Sequence, residues 1–169
     1  MLPNAHPTDS VCESVSEPET LHALLSGRLE SPASLSDADC ESLYAVGYDL
    51  YAQASYEKAL QVFGWLVVLR SLDRRYVFAL GSCLQVVGRY ESAINHYATA
   101  LMIDIEDPTP LLHTCECLVA LRRFGHAQEA LDTLRQEYSA DSYPWISPKA
   151  ERLQALIAGS QAAETGRKL

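Results

Sequence analysis

Apolar residues recur three and four apart along most of the chain, the spacing of one helix face, and short polar breaks interrupt them at regular intervals. The pattern predicts six helices, over about 38–53, 56–70, 74–87, 90–104, 109–121 and 124–138. Pro108 and Pro110 mark one break, and Pro144 and Pro148 follow the last of the six. Ser147 is placed to cap a further helix over 148–160, with Pro148 at its first position. Leu153, Leu156 and Ile157 give that helix a single apolar stripe. Earlier in the chain, Leu21, Leu24 and Leu25 share a helical face that Gly27 and Pro32 bring to an end, so residues 17–36 read as a short helix and a linker. Residues 1–16 hold Pro, Ser, Asn and Asp without periodicity and read as a disordered tail, and residues 161–169 read as a flexible one.

The helices come in pairs with a fixed period. Ala59, Ala93 and Ala127 stand 34 residues apart, twice. Three residues before each is an aromatic (Tyr56, Tyr90, Phe124), and four after each is Phe63, Tyr97 or Leu131. Nine before is Leu50, Leu84 or Leu118; twelve before is a small residue, Gly47, Gly81 or Cys115; sixteen before is Leu43, Val77 or Leu111. A small residue on each helix lets two backbones approach, and the large residues fill the space around the crossing. This is the tetratricopeptide pattern. It predicts an all-α domain over 37–160, with repeats at about 40–73, 74–107 and 108–141, forming a concave superhelical groove and closed by the capping helix that a repeat stack requires.

The first helix of repeat one carries more apolar surface than one packing face needs. Leu43, Val46 and Leu50 supply the stripe for its partner helix, while Tyr44, Tyr48 and Tyr51, at i, i+4 and i+7, form a second stripe. A surface helix is ordinarily polar there. The same columns hold Phe78, Ser82 and Gln85 in repeat two and Leu112, Glu116 and Val119 in repeat three. These nine residues are the candidate peptide-binding positions. Tyrosine suits such a groove because it offers large apolar area, few rotamers and a hydroxyl that stays wet. The plainer reading of the tyrosines is internal packing beneath the N-terminal helix.

Composition narrows the function. The chain has 169 residues, 48% of them hydrophobic, enough for one domain with a core. Its longest apolar stretch, residues 62–69, is too short to span a membrane. The start shows neither a basic segment nor an apolar block, so a cytoplasmic protein without membrane insertion is expected. Of the net charge of −9, the residues up to Glu41 carry −7, from eight carboxylates against Arg28, and read as a solvated acidic tail. An acidic chain repels phosphate backbones, which argues against a nucleic-acid partner. The five cysteines fit no disulfide framework and read as reduced. His113, Cys115 and Cys117 alternate on one helix, so only His113 and Cys117 share a face, short of the four ligands of a structural zinc. Asp104, Glu106 and Asp107 sit at a helix end before a proline, as a solvated terminus does. No catalytic motif, metal site or cofactor is expected, and the chain reads as a binding protein and not an enzyme.

The run Leu43-Tyr-Ala-Val-Gly-Tyr-Asp-Leu-Tyr51, with Tyr56-Glu-Lys-Ala59 and Val62-Phe63, resembles the opening repeat of the class II type III secretion chaperones. Leu80-Gly-Ser-Cys83, Tyr97, Met102-Ile-Asp-Ile-Glu-Asp-Pro108 and His113-Thr-Cys-Glu-Cys-Leu118 extend the resemblance to this SycD/LcrH family over about residues 35–140. The resemblance implies a bacterial cytoplasmic chaperone that holds hydrophobic translocator proteins by a short client segment in the concave groove. It also implies groove roles for Tyr44, Tyr48 and Tyr51, a homodimer through the N-terminal helix with Leu21, Leu24 and Leu25, and a transcription activator as a further partner. A tetratricopeptide scaffold or transcriptional co-regulator with a different protein partner is the alternative.

Overall fold

The computed structural model describes residues 35–139 and 141–166, the last six of these by their backbone alone. Seven helices account for nearly all of them: α1 Asp37–Ala52, α2 Tyr56–Leu69, α3 Arg74–Val86, α4 Tyr90–Ile103, α5 Thr109–Ala120, α6 Phe124–Glu137 and α7 Ile146–Gly166. No strand occurs among the described residues. Leu21, Leu24 and Leu25, and most of the predicted N-terminal helix and linker, lie outside them.

Local chemistry sets the helix starts. Ser36 and Asp39 form a capping box, in which Ser36 N–H donates to Asp39 Oδ2 at 2.9 Å and Asp39 N–H donates to Ser36 Oγ at 3.2 Å. The Ser36 hydroxyl, donating to Asp39 Oδ2 at 2.7 Å, and then the Ser36 N–H hold the Asp39 carboxyl below its ordinary range. Asp73 caps α3 by accepting from the Arg75 N–H at 2.9 Å. Asp107 accepts from both the N–H and the hydroxyl of Thr109 at the start of α5. The final helix differs from expectation. It begins at Ile146, so Ser147 lies inside it and Pro148 falls in its first turn, where a missing N–H costs nothing. It continues through Gly166, past the expected end at 160.

By internal packing the chain divides into two compact units between Val87 and Gly88. In the first, α2 packs on both α1 and α3. Its stripe of Ala59, Val62, Phe63 and Leu66 is fully buried. Gly47 of α1 is the point of closest approach: a Cβ there would lie 2.7 Å from a ring carbon of Phe63. In the second unit, α5 packs on α4, α6 and α7, and Leu112, Cys115, Ala127, Leu131, Leu134 and Ile157 are fully buried in one cluster. The repeat alanines Ala59, Ala93 and Ala127 are each 0% exposed.

The acidic residues in the first turns of α1 are solvent-exposed but belong to the fold and not to a tail. Asp37 accepts from Arg70 at 2.8 Å, Asp39 caps the helix, and Glu41 pairs with Arg75. Sequence position grouped these three with the acidic residues ahead of them, but each has a fixed partner within the fold.

Each pair turns through a left-handed residue at the same place in the period: Ala54 (φ 59°), Gly88 (φ 77°) and Arg122 (φ 58°). Glycine adopts this region freely, whereas a Cβ costs about 1–2 kcal/mol. Replacing Ala54 by Gly is therefore expected to stabilise the protein by about 0.5–1 kcal/mol after the extra unfolded-state entropy is subtracted. Gly88→Ala should destabilise it by about 1 kcal/mol. Urea titrations of the two variants check both signs.

Candidate functional site

Tyr44, Tyr48 and Tyr51 lie along one side of α1, and all three are half-buried. The Tyr44 ring centroid is 6.4 Å from that of Tyr48, 5.9 Å from Phe63 of α2 and 5.3 Å from Tyr76 of α3. Tyr51 meets Tyr56 edge-on at 5.4 Å. Internal packing and a solvent-open face thus coexist, each of these rings having part of its surface in the core and part outside. Burial pushes the Tyr44 phenol above its ordinary value and that of Tyr51 up to about 12. Both are neutral hydrogen-bonding hydroxyls at physiological pH.

The other predicted positions divide. Gln85 in the first unit, and Glu116 and Val119 in the second, are partly open. Phe78, Ser82 and Leu112, expected on the binding face, are instead 3%, 3% and 0% exposed. Every residue of α3 from Tyr76 to Leu84 is buried, so the column that stays half-open along α1 is closed on α3 at Phe78 and Ser82 and opens only at Gln85. The Ser82 hydroxyl donates to the Phe78 carbonyl at 3.0 Å within that helix. Leu112 belongs to the core of the second unit. Above it, the buried ring of His113 stacks on Tyr97 at 5.2 Å, with Nδ1 3.2 Å from Glu116 Oε2. Burial raises the Cys83, Cys115 and Cys117 thiols to about 12, which makes them unreactive packing residues.

Sequence reasoning missed the group that borders Tyr44. Arg75 pairs with Glu41 at 2.6 Å and with Asp73 at 2.8 Å, and its guanidinium carbon lies 5.5 Å from the Tyr44 ring centroid and 5.3 Å from that of Tyr76. The Tyr76 hydroxyl donates to Glu41 at 3.2 Å. The bond from Arg75 chiefly, and that from Tyr76 as well, hold the Glu41 carboxyl below its usual range. The stabilisation from this depressed pKa is present above the unfolded carboxylate value and is lost as pH falls through the folded one, so the cluster is intact at neutral pH. Glu41 and Arg75 are 34 residues apart, one repeat period. That spacing of opposite charges was the available signal.

A 34-residue period carried by helix pairs defines a tetratricopeptide-repeat protein, and the model of that repeat matches residues 40–73. Low calcium response locus protein H of Yersinia pseudotuberculosis is 36% identical over 123 residues, which cover 73% of this chain and 72% of that protein. The solved structure of the Yersinia enterocolitica type III secretion chaperone SycD, in complex with a peptide of the translocator YopD, superposes with a TM-score of 0.67. It is 27% identical and covers 78% of this chain and 98% of its own. PcrH, known from Pseudomonas aeruginosa, in complex with the chaperone binding region of PopD, gives a TM-score of 0.65 at 30% identity over 78% of this chain and 97% of its own. The chain belongs to the SycD/LcrH family of type III secretion translocator chaperones.

Proposed function

We propose that this protein holds a hydrophobic translocator of a type III secretion system in the bacterial cytoplasm by binding a short client segment against the tyrosine face of α1. The observation that carries the reading is the set of three half-buried tyrosines, aligned on one helix in a chain of this family. The complexes of SycD with a YopD peptide and of PcrH with a region of PopD support it. Gln85 on α3, and Glu116 and Val119 on α5, are the partly open positions that would extend the contact within their own units. The work is binding and not catalysis. Among the described residues no helix is long and apolar enough to cross a membrane.

The energetics suit a holding role. Three apolar anchors yield about 1.5–3 kcal/mol each before costs. Ordering the segment consumes part of that, leaving an affinity of about micromolar. Self-association through residues 18–30, bearing Leu21, Leu24 and Leu25, and contact with a transcription activator are further proposed roles. Co-expression with candidate clients, followed by mass spectrometry of the purified complex, tests the proposal. A translocator is expected to co-purify, and a peptide of its N-terminal segment to bind with a dissociation constant of about micromolar. Recovery of a folded soluble partner and no translocator would favour the scaffold reading.

A further inference from the structure

We propose that Arg75 is a positioning residue, which locks the Tyr44 ring in the orientation that α1 presents to a client segment. This rests on the client reading of the tyrosine face. Arg75 stands in the first turn of α3, and its side chain spans to α1. Nε donates to Asp73 Oδ1 at 3.2 Å and Nη2 to Asp73 Oδ2 at 2.8 Å. Nη1 donates to Glu41 Oε2 at 3.1 Å and Nη2 to Glu41 Oε1 at 2.6 Å. Four of its five N–H groups are therefore directed to two carboxylates. The cation is committed to the fold, which leaves little of it for an acidic client residue.

What Arg75 does offer is a cation held over the Tyr44 ring. Tyr44 is bounded by Phe63, by Tyr76 and by the guanidinium of Arg75, which lies 5.5 Å from its ring centroid. A half-buried ring without the third of these walls has more than one rotamer available, and a client would have to select among them. With the wall in place, that ordering is completed on folding. Lysine cannot substitute, because it is a point charge on a flexible stem with no fork to bridge Glu41 and Asp73 and so hold the cation in place.

The test compares wild type with Arg75→Lys, Glu41→Gln and Tyr48→Glu. Fluorine NMR of protein labelled with 3-fluorotyrosine reads the free state, the Tyr44 signal being assigned by its loss in Tyr44→Phe. Calorimetric titration with a synthetic peptide of the co-purified translocator's N-terminal segment reads binding, and thermal melting reads the fold. Wild type should show one narrow Tyr44 line. Arg75→Lys should melt within a few degrees of wild type, because both ion pairs are partly open to solvent and screened by it. It should nevertheless broaden or split the Tyr44 line and weaken peptide binding up to about tenfold. Glu41→Gln, which weakens the ties of Arg75 and of the Tyr76 hydroxyl to α1 and leaves Asp73 paired, should broaden the same line and serves if Arg75→Lys folds poorly. A single sharp Tyr44 line with wild-type affinity in these variants overturns the positioning role. Full-strength binding by Tyr48→Glu overturns the client reading instead, and the fluorine line of the free protein still decides what Arg75 does.

Discussion

Tyr48→Glu is expected to abolish client binding while the helical fold survives. Tyr48 is the middle residue of the stripe and is half-buried, with its ring 6.4 Å from that of Tyr44. Its neighbours are poorer probes. Tyr44 packs on Phe63 and Tyr76, and Tyr51 packs on Tyr56, so changes there remove contacts of the fold as well. A carboxylate at 48 stays hydrated in the free protein. Under an apolar client anchor it would lose that hydration, a cost of several kcal/mol and thus a loss of more than about a hundredfold in affinity. Tyr44→Ala should weaken binding by about 1–3 kcal/mol and also lower the melting temperature. Arg135→Ala, at an exposed position of α6 where the side chain makes a solvent-exposed bond to Gln154, should move neither property by more than a few tenths of a kcal/mol, the usual range for a surface change. Calorimetric titration of a client N-terminal peptide, with circular dichroism melting of each variant, is the deciding measurement. A well-folded Tyr48→Glu protein that binds at full strength would remove the basis for the site.

Gly47→Ala is expected to cost about 1–3 kcal/mol of stability, the range of overpacked cores. The added methyl would meet ring carbons of Phe63 at 2.7 and 2.9 Å. Phe63 is 0% exposed, so its ring has no open side to move into. Either α1 and α2 separate or the ring leaves its rotamer. For a chain of this length the melting temperature should fall by about 2–4 °C per kcal/mol. Because Phe63 also backs Tyr44, the same variant should disturb the tyrosine face, and client affinity should fall along with stability. A melting temperature unchanged from wild type would show that the crossing is looser than its geometry indicates.

Periodicity made the buried columns legible. The alanine column and the large residue four positions after it are fully buried in all three repeats, and the six paired helices begin and end within a residue or so of the expected places. Such positions are dictated by backbone approach, which only small side chains permit, so the sequence carries them openly. The tyrosine stripe was legible for a similar reason, as apolar surface beyond what one packing face uses. The burial of Phe78, Ser82 and Leu112 was not. Helical spacing assigns a residue to a side of its own helix, but how far neighbouring side chains cover that side depends on tertiary packing. Glu41, Asp73 and Arg75 were missed because charged residues near a helix start satisfy local rules on their own. Their joint role depends on a contact across one full repeat, which no single-helix pattern reveals.

The ties between helices have a bearing on synthesis. Those of Arg70, Arg75, Tyr138 and Tyr143 join residues 33 to 37 apart in the chain. No great length of polypeptide has to be gathered before such a contact can close, which is the condition for rapid folding. Everything that surrounds Tyr44, from Glu41 to Tyr76, belongs to the unit that ends at Val87. A ribosome delivers that unit first, with the last four helices still to be translated. The tyrosine face proposed to receive a client is therefore made before the second unit is.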